Sequence, residues 1–361
     1  MKVLVWHWGR RGAGPRFAAE LAAGLRGLPG VQADLSLSAR AEILATPDAP
    51  PCTWPMPTYR GLPGFLARLA FAPLAAPGIG RTLRALAPDV AVCAMPAPLD
   101  GLMVAALRRA GVPYAVIVHD AAAHPGDELP FHVTRQARLL REAAALVSLS
   151  GHVADRLERQ GLVGGRRLIR VAHPPFVFGP APPPPGSQGG PLRLLSFGRL
   201  LPYKGLDLLA DALAVLGARP DIEMRVVGSG PESAALARLR AMPGVRVENR
   251  WVPEAELPAL LAWADALVLS HREASQSGVA AAALAARRWV VSTNVGGLAE
   301  QLRNEPLALM VEPNAAALAA GMARLAEAPP PLPPAPADPR AGWRVMATTL
   351  MAGLAGLKPA D

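Results

Sequence analysis

The chain has 361 residues, of which 51% are hydrophobic, so it is long enough for two domains with sizeable cores. Its formal charge of +9 is uneven: residues 1–180 carry 20 basic and 12 acidic side chains, and residues 181–361 carry 17 and 16. No uncharged apolar run reaches the roughly 18 residues of a membrane helix, the start is not typical of a secretory signal, and two cysteines without metal or redox spacing favour a reduced cytoplasmic setting.

The basic first half indicates an anionic partner, such as a phospholipid surface, a lipid diphosphate or nucleic acid. Nucleic acid is disfavoured, because no recognised binding motif is present and aromatic residues make up only 5%. Solubility alone is the alternative explanation of the charge.

The first predicted strand, Lys2 to Trp6, leads into a loop with Gly9, Gly12 and Gly14 and then a helix starting near Pro15. The G-x-x-G-x-G spacing differs from the G-x-G-x-x-G of dinucleotide sites, and no acidic residue ends a clear second strand, so a nicotinamide or flavin site is disfavoured. Such a loop at the end of a first parallel strand can still contact a phosphate or an acceptor.

Residues 45–62 are proline-rich and are interpreted as a long loop, and residues 63–87 are interpreted as apolar helices. Arg68, Arg81 and Arg84 fall in this helical stretch. It either touches a membrane surface or packs on a sheet with its arginines extended to solvent, and the second interpretation is favoured.

Two continuous apolar runs, Asp89 to Met95 and Pro113 to Val118, are typical of buried parallel strands. His119 and Asp120 follow the second run, at the edge where open α/β sheets bind ligands, and His124 lies in the same loop. A catalytic histidine and a structural one both remain open here.

A strand over residues 145–150, a capped helix and a strand over 168–172 complete the first half. The segment from His173 to Pro191 is rich in proline and glycine and marks a domain boundary. Strands alternate with helices again afterwards, which predicts an α/β fold of two Rossmann-like, doubly wound domains. The predicted divisions are 1–175, a linker at 176–190, 191–335, and a C-terminal helix at 336–361 that crosses back to the first domain.

The stretch from Leu194 to Leu209 is an apolar strand, a glycine turn and an apolar helix. Unpaired backbone N–H groups at such a turn attract anions, and Arg199 and Lys204 add two positive charges there. Lys204 is one of only three lysines in the chain. The pattern predicts a diphosphate site, the alternative being a turn with two solvated basic residues.

Three further loops are expected at the same sheet edge: Gly228–Glu232, Arg250–Pro253 and His271–Val279. Glu273 can accept hydrogen bonds from sugar hydroxyls, or it is merely a favourable charge at a helix start. The backbone N–H groups at the start of the following helix are expected to face an anion. The pocket therefore suits a nucleotide diphosphate joined to a polar group.

Four segments together resemble the retaining glycosyltransferases of family 4: GRLLPYKGLDLL, VVGSGPE, WVPEAELPALLAWADALVLSHREASQSGV and VVSTNVGGLAEQL. Their order and spacing match over roughly residues 190–325, and the first half matches more loosely through its glycine loop and the VHD…HPG loop. The resemblance implies the B-type fold of two facing Rossmann-like domains, with the nucleotide sugar on the second domain, the acceptor mainly on the first, and metal-independent chemistry in the interdomain cleft.

The resemblance also implies a role for each matching residue. His119 and Glu273 are the expected catalytic residues. The expected diphosphate contacts are Gly198, Arg199, Lys204, Gln276, Ser277, Gly278 and Val279. The expected contacts to base and ribose are Gly228, Arg250, Trp251 and Val252, and the expected acceptor side comprises Gly12, Gly14 and Asp120.

Two departures from the family pattern stand out. The second glutamate expected about eight residues after the first falls near Ala281 or Ala282, and the usual Gly-x-Pro is replaced by Arg287, Arg288 and Trp289. They motivate an alternative, a degenerate nucleotide-sugar-binding subunit without turnover. A sugar-nucleotide epimerase on the same architecture is a further alternative, for which no convincing acid and base residues are found.

The resemblance predicts transfer of a hexose, with retention, from a UDP- or GDP-sugar to a saccharide or lipid-linked acceptor, in exopolysaccharide, lipopolysaccharide or glycolipid synthesis. No cofactor and no metal are expected, and nucleic acid is not an expected partner. The enzyme is expected in the cytoplasm, and peripheral association at the inner face of an anionic membrane is a further expectation.

Overall fold

The computed structural model describes residues 1–121, 137–187 and 189–358, with the side chains of Ala72 and Pro73 excepted. These residues divide into two compact units. The first unit comprises residues 1–121, 137–172 and 340–358, and the second comprises residues 173–187 and 189–339. His124 lies outside the described residues.

The first unit contains a parallel sheet of seven strands in the order β3-β2-β1-β4-β5-β6-β7. The strands are β1 (Lys2–His7), β2 (Gln32–Ser38), β3 (Trp54–Met56), β4 (Val90–Cys93), β5 (Tyr114–Val118), β6 (Ala145–Ser148) and β7 (Arg167–Arg170). Its helices are α1 (Ala13–Arg26), α2 (Gly61–Ala70), α3 (Ala72–Leu86), α4 (Asp100–Ala110) and α5 (Gly151–Arg159). The hydroxyl of Ser150 accepts from the Val153 amide, which confirms the predicted cap of α5.

The second unit contains six parallel strands in the order β10-β9-β8-β11-β12-β13. The strands are β8 (Leu192–Arg199), β9 (Ile222–Ser229), β10 (Val245–Asn249), β11 (Ala266–Leu269), β12 (Trp289–Thr293) and β13 (Ala308–Val311). Its helices are α6 (Leu206–Leu216), α7 (Ala234–Arg240), α8 (Leu257–Trp263), α9 (Gly278–Ala285), α10 (Gly296–Leu302) and α11 (Ala315–Glu327). The predicted class of two Rossmann-like α/β domains is confirmed.

Strands β2 and β3 correct the sequence interpretation, which recognised no second strand and treated residues 45–62 as loop. Strand β2 carries two serines that are fully buried, Ser36 and Ser38. The Trp8 indole donates to the Ser36 hydroxyl, and Ser38 shares a 2.6 Å hydrogen bond with Thr58, so each serine has a side-chain partner inside the sheet. The two serines interrupt the apolar pattern that indicates a buried strand, and this is why β2 was not recognised from the sequence.

The last helix, α12 (Ala341–Leu354), belongs to the first unit and packs on α1. The buried Trp343 ring meets Phe17 edge-on, at 5.1 Å between ring centroids. Arg340 Nε donates to Glu20 Oε2 at 3.2 Å, and the Trp343 carbonyl lies so close to Gly24 that a Cβ there would meet it at 2.8 Å. Helix α12 therefore belongs to the first unit, although residues 173–339 separate it from the rest of that unit in the sequence.

The predicted linker at 176–190 lies within the second unit and is tied to it at several points. Phe176 is buried, and its amide donates to the carbonyl of Ala281 at 3.1 Å. The buried Asp265 carboxylate accepts from the amides of Gly186 at 2.6 Å and Arg193 at 3.0 Å. The described part of this segment is therefore held against the second unit by hydrogen bonds and by the buried Phe176 side chain.

No single helix among the described residues is long and apolar enough to cross a membrane, although the bent pair Gly61–Ala70 and Leu74–Leu86 passes that test when its two helices are counted together. The pair nevertheless carries exposed apolar side chains. Leu62, Leu66 and Leu74 are 69%, 56% and 77% exposed. The helices do not bury all their apolar surface within the unit.

A buried carboxyl group sits at the first residue of α4. Asp100 accepts from the Trp6 indole at 3.1 Å and from the Ala97 amide at 2.6 Å, and it is 4% exposed. Burial is the main cause that raises the pKa of Asp100 from 3.8 to about 7, because desolvation disfavours the carboxylate. The folded state therefore favours the protonated form.

Replacing Asp100 by asparagine should change how stability depends on pH. A carboxyl group whose pKa is raised on folding stabilises the native chain fully below its unfolded pKa of 3.8, and this contribution is lost as pH rises toward about 7. The Asp100→Asn variant should therefore gain stability relative to the native chain across that window, by at most about 1.4 kcal/mol per pH unit. Thermal unfolding of both proteins between pH 4 and 8 tests this, and parallel curves would contradict it.

Candidate functional site

The topology of the second sheet selects one place for a ligand. Strands β8 and β11 are neighbours, and the connection that leaves β8 leads to β9 on one side, whereas the connection that leaves β11 leads to β12 on the other side. Ligands of open α/β sheets bind at such a switch point. Arg199 is the last residue of β8, Lys204 lies in the turn that follows, and the loop after β11 runs from Ser270 to Ser277.

Glycines allow the backbones of this edge to approach closely. Gly198 and Gly228 are direct neighbours in the register of β8 and β9, and a Cβ on Gly228 would collide with the Gly198 carbonyl. A Cβ on Gly198 would meet the Val279 side chain at 3.5 Å. The start of α9 is therefore brought against the end of β8, so three predicted site residues lie together.

Tyr203 and His271 hold the charged ends of Arg199 and Lys204, the two residues predicted to bind the diphosphate. Arg199 Nη2 donates to the Tyr203 hydroxyl at 2.9 Å, and Lys204 Nζ lies 2.8 Å from Nε2 of the buried His271. The Arg199 guanidinium and the Lys204 ammonium lie 5.5 and 5.4 Å from the centroid of the Tyr203 ring. An ammonium can only donate, so His271 Nε2 is the acceptor.

Two side-chain hydroxyl groups hold the backbone around His271 and Lys204. Thr293 Oγ1 donates to the His271 carbonyl at 2.7 Å, and Ser270 Oγ donates to the Lys204 carbonyl at 2.9 Å. Gly205 has φ +65°, and a Cβ there would collide with the Ser270 carbonyl. The lysine turn and the histidine loop therefore form one rigid assembly.

The start of α9 supplies backbone donors, but fewer than the sequence suggested. Ser277 caps the helix by accepting from Ala280, while its amide donates to Gln301 Oε1 at 2.9 Å. The amides of Gly278 and Val279 lie in the first turn, where no intrahelical acceptor exists. These two amides are therefore the ones suited to an anion. The Ser277 amide and hydroxyl already have partners within the unit, so its predicted contact to the diphosphate stays a prediction.

Glu273 and Gln276 are half-buried in the loop before α9. Between His271 and Glu273, Arg272 forms an ion pair with Asp207 at the start of α6, at 2.5 Å. This contact holds the outer side of the loop. The roles assigned to Glu273 and Gln276 stay predictions.

At the carboxyl ends of β9 and the edge strand β10, the Arg250 amide donates to the Gly228 carbonyl at 2.6 Å. Its guanidinium is engaged by Glu256 at 2.7 Å and Glu248 at 3.1 Å, which raises the pKa of Arg250. The backbone at Trp251 and Val252, and not the Arg250 side chain, is therefore the part suited to contact a base. These contacts to base and ribose also stay predictions.

In the first unit, His119 follows β5 and is 7% exposed. Its Nε2–H donates to the Ala94 carbonyl at 2.8 Å, and its ring meets Phe17 edge-on at 4.8 Å between centroids. Burial lowers the pKa of His119, so the ring is neutral near pH 7. The negative charge of Asp120 acts in the opposite direction on this pKa, which places its carboxylate in the electrostatic surroundings of the ring.

The sequence interpretation missed His7, at the end of β1. It is buried, its Nδ1–H donates to the Met95 carbonyl at 2.8 Å, and burial is the main cause that lowers its pKa to about 4. A Cβ on Gly9 or Gly14 would collide with the His7 ring. Gly14 thus leaves room for the His7 ring, and Gly12, with φ +80°, directly precedes α1.

The run Arg287–Trp289, which departs from the family pattern, has structural partners. Arg287 and the buried Arg288 donate to the carbonyls of Pro333 and Pro183, the latter at 2.5 Å. The Trp289 indole donates to the Pro330 carbonyl at 3.1 Å. The three residues therefore hold proline-rich segments within the second unit. At the other departure from the family pattern, Ala281 and Ala282 are each 1% exposed and supply no carboxylate in place of the second glutamate.

Within the part of the chain that the structure describes, no group of three or more histidine, cysteine, aspartate or glutamate side chains is placed to hold a metal ion.

Two family models match the chain, one in each half. The model described as "Glycosyl transferase 4-like domain" matches residues 12–175, and the model described as "Glycosyl transferases group 1" matches residues 191–328. Between them the two models cover most of the chain.

Among curated proteins, a D-inositol 3-phosphate glycosyltransferase of Jonesia denitrificans is 38% identical over 125 residues, which cover 32% of this chain and 30% of that enzyme. A 2-deoxystreptamine glucosyltransferase of Streptomyces kanamyceticus is 29% identical over 271 residues, which cover 65% of this chain and 68% of that enzyme. The chain thus spans less than a third of the first relative and about two thirds of the second.

Among solved structures, Anabaena HepE in complex with UDP and glucose superposes with a TM-score of 0.65 at 17% identity. The superposition covers 99% of this chain and 96% of that one. At this identity the likeness establishes the fold.

Proposed function

The chain belongs to the glycosyltransferases whose two domains these models describe, and from that premise we propose that it transfers a hexose from a nucleotide diphosphate sugar to an acceptor. The observation that carries the proposal is the pair Arg199 and Lys204, held by Tyr203 and His271 at the switch point of the second sheet. Two fixed cations at that edge suit a diphosphate better than a neutral ligand.

The proposed reaction breaks the bond between the sugar and the diphosphate, so negative charge develops on the departing oxygen. Groups that are already oriented toward this charge stabilise the transition state more than the bound donor. Arg199, Lys204 and the amides of Gly278 and Val279 supply that charge and those dipoles. They make the proposed transfer independent of a metal ion and of any cofactor.

The remaining assignments follow the family resemblance. Glu273 holds the donor sugar, the backbone from Arg250 to Val252 holds a uracil or guanine base, and the configuration at the sugar carbon is retained. His119 is a polar contact to the reacting sugar. Its ring is neutral because burial lowers its pKa, and the Ala94 carbonyl holds the proton on Nε2. Gly12, Gly14 and Asp120 belong to the acceptor side.

The acceptor is proposed to be a saccharide or a lipid-linked saccharide, in exopolysaccharide, lipopolysaccharide or glycolipid synthesis. The excess of basic side chains in residues 1–180 and the exposed Leu62, Leu66 and Leu74 support peripheral attachment to the inner face of a membrane. The proposed location is therefore cytoplasmic and at the membrane surface.

A subunit that binds the nucleotide sugar without turnover is the second candidate. The buried Ala281 and Ala282, at the position where the family has its second glutamate, favour it. The intact set of Arg199, Lys204 and Glu273 favours the enzyme. Turnover decides between them.

Calorimetric titration with UDP, GDP, ADP and dTDP, and with their glucose conjugates, tests the proposal. We expect one nucleotide to bind the native chain and its sugar conjugate to be slowly hydrolysed or transferred. The Lys204→Ala variant should bind this nucleotide at least tenfold more weakly, since a hydrogen bond to a charged group contributes about 1.5–3 kcal/mol. Binding without any release of sugar, with a pool of acceptors present, would favour the binding subunit, and binding of none of the nucleotides would contradict both.

A further inference from the structure

A cavity lies in the first unit, lined by residues that none of the donor assignments uses. It has a volume of about 490 Å³, within the roughly 300–1,000 Å³ of small-molecule sites. Its lining residues are Ala39, Arg40, Pro57, Thr58, Tyr59, Arg60, Gly64 and Arg68. Most of them follow the carboxyl ends of β2 and β3, the edge at which parallel sheets bind ligands.

The lining is strongly basic. It contains three arginines and no carboxylate. Among the described residues, no ion pair joins Arg40, Arg60 or Arg68 to an acidic side chain, and the nearby Glu42 is engaged by Arg11 at 2.9 Å. The positive charges of this pocket, which we call the arginine pocket, are therefore not neutralised by a carboxylate among the described residues.

The helix α2 gives the pocket its shape. Gly64 and Arg68 are four residues apart and so share one face of the helix, whereas Arg60 directly precedes the helix in an extended conformation. Gly64 faces Tyr59, since an added Cβ there would meet Tyr59 at an ordinary contact distance of 3.7 Å, so a larger side chain at this position would occupy space beside the Tyr59 wall. Leu62 and Leu66 lie on the remaining, exposed face.

The walls of the pocket are held in place before any ligand arrives. Arg68 Nε donates to the Pro57 carbonyl at 3.1 Å, and Arg68 Nη2 donates to the same carbonyl oxygen. The Arg10 guanidinium lies 4.8 Å from the centroid of the Tyr59 ring, and Thr58 shares its hydroxyl hydrogen bond with Ser38. A preformed site loses less conformational entropy on binding than a cluster of free surface arginines.

We propose that the arginine pocket binds a phosphate group carried by the acceptor, an assignment that rests on the proposed function. Arginine pairs bidentately with phosphate oxygens, so Arg40 and Arg60 match a phosphate monoester or diester. Arg68, whose Nε and Nη2 donate to the Pro57 carbonyl, adds a third positive charge. The volume also admits a group of sugar size attached to that phosphate. The phosphate belongs either to a soluble phosphorylated sugar or to a lipid headgroup, for which Leu62 and Leu66 provide an apolar border.

The test uses the full chain with Lys204→Ala as background in every binding arm, so that phosphate does not bind through the donor site. Calorimetric titration with inorganic phosphate and with glucose 6-phosphate detects a soluble source. Co-sedimentation with vesicles of phosphatidylglycerol and phosphatidylcholine, against vesicles of phosphatidylcholine alone, detects a lipid source. Two variants reverse charge in the pocket, Arg40→Glu and Arg60→Glu, and Gly64→Leu fills it without a charge change.

Arg81→Glu is the matched control, because Arg81 is an exposed arginine of α3 in the same unit and the variant has the same net charge. We expect the three pocket variants to weaken binding of glucose 6-phosphate or of anionic vesicles at least tenfold, and Arg81→Glu to bind like its background. If the lipid is the source, Leu62→Ser with Leu66→Ser should weaken vesicle binding and leave glucose 6-phosphate unaffected.

Three results would overturn the proposal: no binding of either probe, equal weakening by Arg81→Glu and the pocket variants, or full binding by Gly64→Leu. The proposed function is tested separately, by nucleotide binding to chains that retain Lys204. Arg60→Glu in that native background should bind the nucleotide like the unmodified chain. Failure of nucleotide binding would therefore remove the proposed function, whereas failure of phosphate binding removes only the pocket.

Discussion

Replacing Lys204 by alanine should lower the rate of sugar transfer by a factor of about 100 to 1,000, the loss typical for removal of one preorganised donor to a developing negative charge. The ammonium of Lys204 is fixed by Nε2 of His271 at 2.8 Å and lies beside Tyr203, so it needs no reorganisation when the diphosphate departs. Initial rates of nucleotide release with saturating donor measure the effect.

Lys358→Ala is the control, since Lys358 is an exposed lysine near the chain end and should be neutral. His271→Gln separates position from charge: an amide oxygen can still accept from Lys204, so this variant should lose less activity than His271→Leu. A rate for Lys204→Ala within twofold of the native rate would contradict the assignment of the leaving-group site.

Replacing Trp343 by alanine should destabilise the first unit by about 3–5 kcal/mol, the usual cost of truncating a buried large aromatic residue. Trp343 is 1% exposed, packs on Phe17 and is held by the close approach of α12 to α1. Denaturant unfolding followed by circular dichroism should show an earlier transition, while the affinity of the second unit for its nucleotide should stay unchanged under native conditions.

Val345→Ala is the matched control for this variant. Val345 lies on the same helix and is 66% exposed, so its truncation should alter stability by no more than about 0.5 kcal/mol. Equal effects of the two substitutions would show that α12 contributes through its helical propensity and not through the packing of Trp343.

The strand after the proline-rich segment and the turn that follows it were predictable because they are local features. Strand β8 is an apolar run bounded by glycine, and buried parallel strands need little more than that. Strand β2 was not, because the partners of Ser36 and Ser38 are Trp8 and Thr58, at least 20 residues away in the sequence. No local sequence pattern predicts that a serine is buried when its hydrogen-bond partner is a hydroxyl or indole group far away in the sequence.

The candidate site divides in the same way. Arg199 and Lys204 follow from the sequence because they flank a glycine turn, whereas His271 is 67 residues from the lysine that it contacts. Gln301, which holds the Ser277 backbone from both sides, is similarly remote. The arginine pocket also escaped notice, since its members come from the end of β2, the end of β3 and one face of α2.

The assignment of the last helix to the first unit has a consequence for synthesis on the ribosome. The first unit lacks α12 until residues 173–339 have been translated, which takes about 10 to 30 s at about 5–20 residues per second. During that interval the nascent chain displays Phe17 and the neighbouring face of α1 without Trp343. Translation that stops within the second unit leaves a product with an open aromatic surface, the kind of surface that chaperones and proteases recognise.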